Sequence, residues 1–290
     1  MKRYFDLLKQ AFTEFQQDKA QRLGAALAYY MIFSIAPLLL IAIAIAGIAF
    51  GKSQAQEQIV DQLRRLMGDA GAKAIAEMLA NAAKPKTGTL AIVIGSVTLL
   101  IGAASVFGNL KDALNTIWNV EVKPSGGIMS MIKQRFLSFA MVLGVGFLLL
   151  VTLVFDAAIA SMGKYADNRL PGGEALWQSL QLVVSFVVVT VLFALIFRFL
   201  PDTHVEWRDV WAGAFFTAFL FVVGKFALGL YLGKSAIGSS YGAAGSIVVL
   251  LVWIYWSTNI LFFGAEFAQV YGRTDGSMSV AAPFRPPTGG

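Results

Sequence analysis

Six long apolar runs, separated by short polar breaks, organise this chain. They fall at about 24–50, 89–107, 136–161, 176–200, 210–232 and 246–271. Each has close to the roughly 20 residues that a helix needs to cross the hydrocarbon core of a bilayer. The first, from Gly24 to Phe50, holds no charged residue. Its first half is more particular than a plain anchor requires. Tyr29 and Tyr30 are adjacent, Ser34 follows, and Pro37 sits deep inside the apolar stretch. A proline there removes one helix hydrogen bond and is expected to kink the segment, leaving the carbonyl of Phe33 without its usual donor. Two readings stand side by side: a tilted span with a tolerated proline, or a broken helix whose freed carbonyl lines a path or pocket in a bundle.

The polar stretches carry patterns of their own. In Lys2 to Lys19, Tyr4, Phe5, Leu8, Ala11, Phe12 and Phe15 recur at helical spacing, with Lys9, Glu14, Gln16 and Lys19 on the other side. The pattern predicts an amphipathic helix over 2–19 lying at the membrane interface, with docking on a partner as the alternative. Between Gly51 and Thr87, Ile59, Leu63, Leu66 and Met67 form one stripe and Ile75, Met78 and Leu79 a second, divided at Gly68–Gly71. This predicts a helical hairpin over 52–86, packed on the outer, periplasmic mouth of the bundle. The second span is rich in small residues (Gly95, Ser96, Gly102, Ala103, Ala104, Ser105), which let helix backbones approach closely. It continues into a stretch where Leu110, Leu114 and Ile117 share a face and Trp118 suits an interface. The predicted fold is therefore all-α, a six-helix membrane bundle in one domain, 1–272, followed by a disordered tail at 273–290.

Composition agrees with the pattern. Hydrophobic residues make up 57% of the 290 and charged residues only 14%, against roughly 25% in soluble domains. The formal charge of +6 does not argue for nucleic acid, because the basic residues sit mostly at the ends of apolar runs. With six spans both termini share a side. Thirteen Lys and Arg fall there and nine on the other side, six of the nine in the long polar segment. The short outer loops hold only three, so both termini are expected in the cytoplasm. Without cysteine there is no disulfide or thiolate metal site, and a single histidine, His204, excludes a multi-histidine one. The first apolar run starts late and is too long for the core of a cleavable signal peptide.

Chemistry must come from the few polar groups inside spans, where an ionisable side chain costs about 2.5–3.5 kcal/mol at a helix centre. At roughly 1.5 Å per residue, Asp156 lies about 30 Å and Lys225 about 22 Å from the inner ends of their spans. They are expected to pair or share a polar cavity; the alternative is that Lys225 snorkels outward and Asp156 reaches the outer interface. Together with Tyr29, Tyr30, Ser34, Pro37 and Asn259 they are the candidates for a transport path. Arg198 and Glu266 both lie near inner ends and are expected to form a structural pair. Two stretches, Gly47 to Ser53 and Gly229 to Ser235, imitate a phosphate loop. Each has three residues between its glycines where that loop needs four, and each follows a membrane helix instead of a strand, so ATP binding is rejected. The residues offer no histidine pair, clustered carboxylates or Ser-His-Asp set, so no catalytic residue, metal or cofactor is expected.

Several ordered stretches resemble the YihY/BrkB family of bacterial inner-membrane proteins, once labelled ribonuclease BN. They run from Ala25 through Tyr29 and Tyr30 to Leu38, and from Leu110 through Asn115 to Trp118. Leu200-Pro201-Asp202 with Trp207 and Gly213-Ala214 follow, then Tyr241 to Gly245, Trp253-Ile254-Tyr255 and Gly264 to Phe267. The resemblance implies a six-helix inner-membrane protein without a settled activity; transport of a lipid or small solute is the role entertained for such proteins, and with the polar groups inside the spans it is the function expected here. RNA hydrolysis does not follow from it, because the residues above cannot support that reaction. Membrane lipids, a lipid or solute substrate and an envelope protein are the expected partners, nucleic acid is not, and the oligomeric state stays open. The competing class is a scaffold that docks envelope partners without transporting anything.

Overall fold

The computed structural model describes residues 2–82, 105–120, 173–234 and 245–274. Those residues are helical apart from short turns, and there is no strand among them. In chain order the helices are α1 (Lys2–Gln17), α2 (Ala20–Phe50), α3 (Lys52–Ala82), α4 (105–117), α5 (Gly173–Phe199), α6 (Trp207–Lys234) and α7 (Gly245–Thr274). Among the described residues three stretches are long and apolar enough to cross a membrane: Leu182–Phe199, Trp207–Leu232 and Ile247–Thr274. They coincide with the fourth to sixth expected spans. The first expected span lies within α2, and the second lies mostly and the third wholly outside the described residues; of the tail expected to be disordered from 273, Arg273 and Thr274 end α7 and the rest lies outside them.

The backbone of α2 is helical without interruption from Ala20 to Phe50, so the break expected at Pro37 is absent. A proline already has a helical φ, and its cost is one lost hydrogen bond. One turn earlier, the Ser34 hydroxyl donates to the Tyr30 carbonyl at 3.0 Å. In α3 the division expected near Gly68 is present: Gly68 has φ 79° and ψ 176°, and two helical arms meet there. A side chain would be strained at that φ, which is why glycine occupies the junction.

α1 ends in a tight turn in which Lys19 takes the left-handed conformation, with its N–H on the Gln16 carbonyl. The buried stripe of α1 is Leu7, Ala11 and Phe15, not the full apolar set read from the sequence. Leu7 and Ala11 pack on Phe267 and Val270 of α7, and the Phe15 ring stands edge-on to Phe263 at 5.8 Å. Tyr4, Phe5 and Phe12 remain exposed. The buried stripe of α1 thus packs within the chain, on the last turns of α7.

Two apolar cores hold the bundle. One gathers the start of α2, the buried face of α4 (Leu110, Leu114, Ile117), Phe193 and Phe197 of α5, and the facing turns of α6 and α7. Trp118 is buried in it against Phe197 instead of sitting at an interface. The other joins Ile32, Leu39 and Ile43 of α2 to Ile75 and Leu79 of α3 and to Leu250 and Ile254 of α7. Between α6 and α7 the backbones nearly touch. A Cβ added to Gly264 would lie 1.8 Å from the Thr217 hydroxyl, and one added to Gly213 would lie 2.3 Å from the Ala268 methyl. Small residues at both contacts allow this approach, the usual device of packing within a membrane.

Candidate functional site

α7 carries polar residues along an otherwise apolar helix. Asn259, Glu266 and Arg273 are spaced by seven, two helical turns apart, and therefore share one face. That face looks onto the first two helices. Asn259 lies against α2, where a Cβ on Gly24 would come within 3.1 Å of its amide nitrogen. Its Nδ2 donates to the Tyr255 carbonyl at 2.7 Å, while its buried Oδ1 has no partner among the described residues.

Two turns further on, Glu266 is completely buried, and neither carboxyl oxygen has a hydrogen-bond partner among the described residues. The charged groups facing it are Asp18, Glu14 and Arg273. Arg273 is already engaged with the Glu14 carboxylate and donates to the Gln269 side-chain oxygen Oε1 at 3.1 Å. A carboxylate only accepts hydrogen bonds, so as ions Glu266 and Asp18 can offer each other nothing. One proton between them supplies the missing donor. Burial, with Glu14 adding repulsion, holds the Asp18 carboxyl above its ordinary range, while the facing Glu266 carboxyl, with which a proton can be shared, and the charge of Arg273 act in the opposite sense. Among the described residues no group of three or more carboxylates or histidines is placed to hold a metal ion.

The pair expected between Arg198 and Glu266 is not formed. Arg198 turns to the α5–α6 connection: its guanidinium donates to the Val205 carbonyl, lies 2.9 Å from His204 Nδ1, and sits 5.6 Å from the centre of the Trp207 ring. Similar depth does not bring two side chains together when their helices present them to different neighbours. Of the remaining candidates, Ser34 is buried, while Tyr29 and Tyr30 are exposed and pack edge-on against each other. Pro37 lies in the continuous part of α2, whereas its side chain and Asp156 fall outside the described residues. Lys225 is half-buried on α6, with Nζ 6.0 Å from the centre of the Phe226 ring.

A second polar junction had no place among the candidate site residues. Asn115 of α4 is buried and clasps the turn after α5. Its Nδ2 donates to Asp202 Oδ2 at 3.1 Å, and the Asp202 N–H donates back to its Oδ1 at 2.8 Å. Lys111 Nζ lies 2.8 Å from the other Asp202 oxygen. Burial raises the neighbouring Asp112 carboxyl above its usual range, Lys111 opposing and Asp202 adding to the effect. An asparagine inside the apolar face of Leu110, Leu114 and Ile117 was the available signal, since a buried amide needs a partner.

Apolar spanning helices fastened by small residues and a few buried polar groups define a helical membrane protein. The chain matches the family described as virulence factor BrkB over residues 11–284 and belongs to it. It is 31% identical over 258 residues to a UPF0761 membrane protein of Verminephrobacter eiseniae, covering 87% of this chain and 58% of that protein. A UPF0761 membrane protein of Psychrobacter is 26% identical over 269 residues, 91% of this chain and 48% of the relative. Another, from Albidiferax ferrireducens, is 34% identical over 176 residues, 60% of this chain and 40% of the relative. The chain thus spans about half the length of these relatives. No solved structure matches it.

Proposed function

We propose that this chain is a transporter, exporter or lipid-handling conduit of the bacterial inner membrane, moving a lipid or small solute without chemical conversion. In this reading six helices span the bilayer, the α3 arms cover the periplasmic mouth, and both termini lie in the cytoplasm. The observation that carries it is Glu266, a fully buried carboxyl on a spanning helix with no hydrogen-bond partner among the described residues. An ionisable group so placed is expensive, and intramembrane carboxyls mark proton relays and substrate paths more often than they serve structure. The unpartnered Asn259 oxygen on the same face extends the polar line toward the middle of α7. Flux would follow this face, between α7 and the α1–α2 pair, with half-buried Lys225 a further polar group in the bundle.

The test is reconstitution of the full chain in liposomes, with lipid scrambling and solute uptake measured for wild type, Glu266→Gln and Lys225→Ala. Activity in one assay that drops in Glu266→Gln, with the variant folded, supports the reading. Inactivity of the folded wild type in both assays overturns it in favour of a docking scaffold.

A further inference from the structure

An open apolar groove lies on an exposed side of α6 and α7. Its volume is about 340 Å³. It is lined by Ala212, Phe215, Phe216 and Phe219 of α6, Phe267 and Tyr271 of α7, and Tyr4 of α1. The aromatic rings hold one another in place. Phe216 packs on Phe267 at 4.2 Å between ring centres, Phe267 stacks on Tyr271 at 6.3 Å, and Phe186 of α5 braces Phe215 at 5.3 Å. Phe215 and Phe219 are more than half exposed, so the groove opens outward.

The groove has a polar end and an apolar end. Arg208 lies one turn before Ala212 in the first turn of α6 and shares its face with Ala212, Phe215 and Phe219, at spacings of four, seven and eleven residues. It is exposed and forms no ion pair with another described residue. Trp207 and Trp211, exposed and stacked at 6.3 Å, mark this level as a membrane–water boundary. Tyr4 and Tyr271 contribute hydroxyl-bearing rings to the lining. From Ala212 to Phe219 the lining then runs about 11 Å into the apolar layer. That gradient, a guanidinium at the boundary and aromatic faces below it, is the chemistry of a phospholipid with a phosphate head and an acyl tail.

We infer that this groove is a binding site for one anionic phospholipid of the leaflet on the Arg208 side, its phosphate on Arg208 and one acyl chain along Ala212, Phe215 and Phe219. The inference deepens the lipid-handling reading and rests on it for the chain's place in the bilayer. What separates such a site from ordinary boundary lipid is the basic side chain at one end of an aromatic lining whose rings pack on one another.

The experiment uses the full chain in phosphatidylcholine vesicles containing a few per cent of either phosphatidylglycerol or phosphatidylcholine bearing a photoactivatable group in one acyl chain. After illumination, labelled residues are mapped by mass spectrometry. Phosphatidylglycerol is expected to label 212–219 and 267–271 about fivefold more than phosphatidylcholine, the factor corresponding to roughly 1 kcal/mol for one basic residue at a membrane surface. Arg208→Gln, a change on an exposed side chain, should bring the two lipids level. Ala212→Trp, which fills the groove, should remove labelling there and leave labelling elsewhere on α5 and α6 unchanged. Equal labelling by both lipids, or a preference that survives Arg208→Gln, overturns the site. Scrambling measured on the same vesicles separates the two levels. Scrambling without headgroup-selective labelling removes the site and leaves the function; selective labelling without scrambling keeps the site and removes the function.

Discussion

Two polar junctions fasten the helices of this protein, and they are built on opposite terms. Around Asp202 every group has its complement: an amide that gives and receives, and an ammonium on the remaining carboxylate oxygen. Around Glu266 three carboxyls face one guanidinium, and that guanidinium is committed to Glu14 and Gln269. The first junction resembles a clasp whose loss leaves buried groups stranded. The second is incomplete without a proton. Structure maintained for its own sake tends toward full satisfaction of buried polar groups, so the incomplete junction is where function should be sought.

Four experiments act on this contrast. The largest effect is expected from Gly264→Val, because the contact of α6 with α7 supports both junctions. A side chain there meets the buried Thr217 hydroxyl, and the loss should be about 3 kcal/mol, read as a lowered midpoint of thermal unfolding in detergent. A stable Gly264→Val protein would mean that the two helices separate more easily than their backbones suggest. Next is Asn115→Ala, which strands the Asp202 N–H and removes both amide bonds, for a loss of about 2 kcal/mol by the same measurement. Glu266→Gln should act with the opposite sign. The amide supplies the donor that the pocket lacks, and the protein should gain about 1 kcal/mol while losing flux. If both substitutions destabilise equally, the contrast between the junctions fails.

The smallest effect concerns pH. A carboxyl held above its ordinary range in the folded state stabilises that state below its unfolded value, here 3.8, and the contribution fades as pH rises through the raised value. Docking of α1 on α7 should therefore loosen as pH increases, because Asp18 ionises beside Glu14 and Glu266, with Arg273 opposing them. The absence of native cysteine makes this measurable with spin labels at Gln16→Cys and Thr274→Cys. The distance distribution should broaden at higher pH and stay constant in an Asp18→Asn background.

Much of this architecture was legible from the order of residues, and the failures share a cause. The boundaries of α1, the fourth to sixth spans and the glycine junction of α3 all follow from local periodicity and backbone chemistry. Depth along a helix could also be read, because rise per residue is fixed. The direction in which a side chain points toward its neighbours could not. Arg198 and Glu266 were matched by depth, and packing turned one to the α5–α6 connection and the other to the α1–α2 junction. The aromatic stripe of α1 failed for a related reason. Lipid is as apolar as a protein core, so an apolar face does not say which of the two it will meet. Leu7 and Phe15 went to α7, while Tyr4, Phe5 and Phe12 stayed outside. The Asn115–Asp202 clasp joins residues 87 positions apart, and no local pattern links them.

The near contact of α6 and α7 bears on how the molecule can move. Two helices whose backbones meet at Gly213 and Gly264 have no side-chain layer in which to slide, so they form a single beam. Any relative motion within the bundle then carries that beam as one body against α1 and α2, on the side where Glu266 is buried.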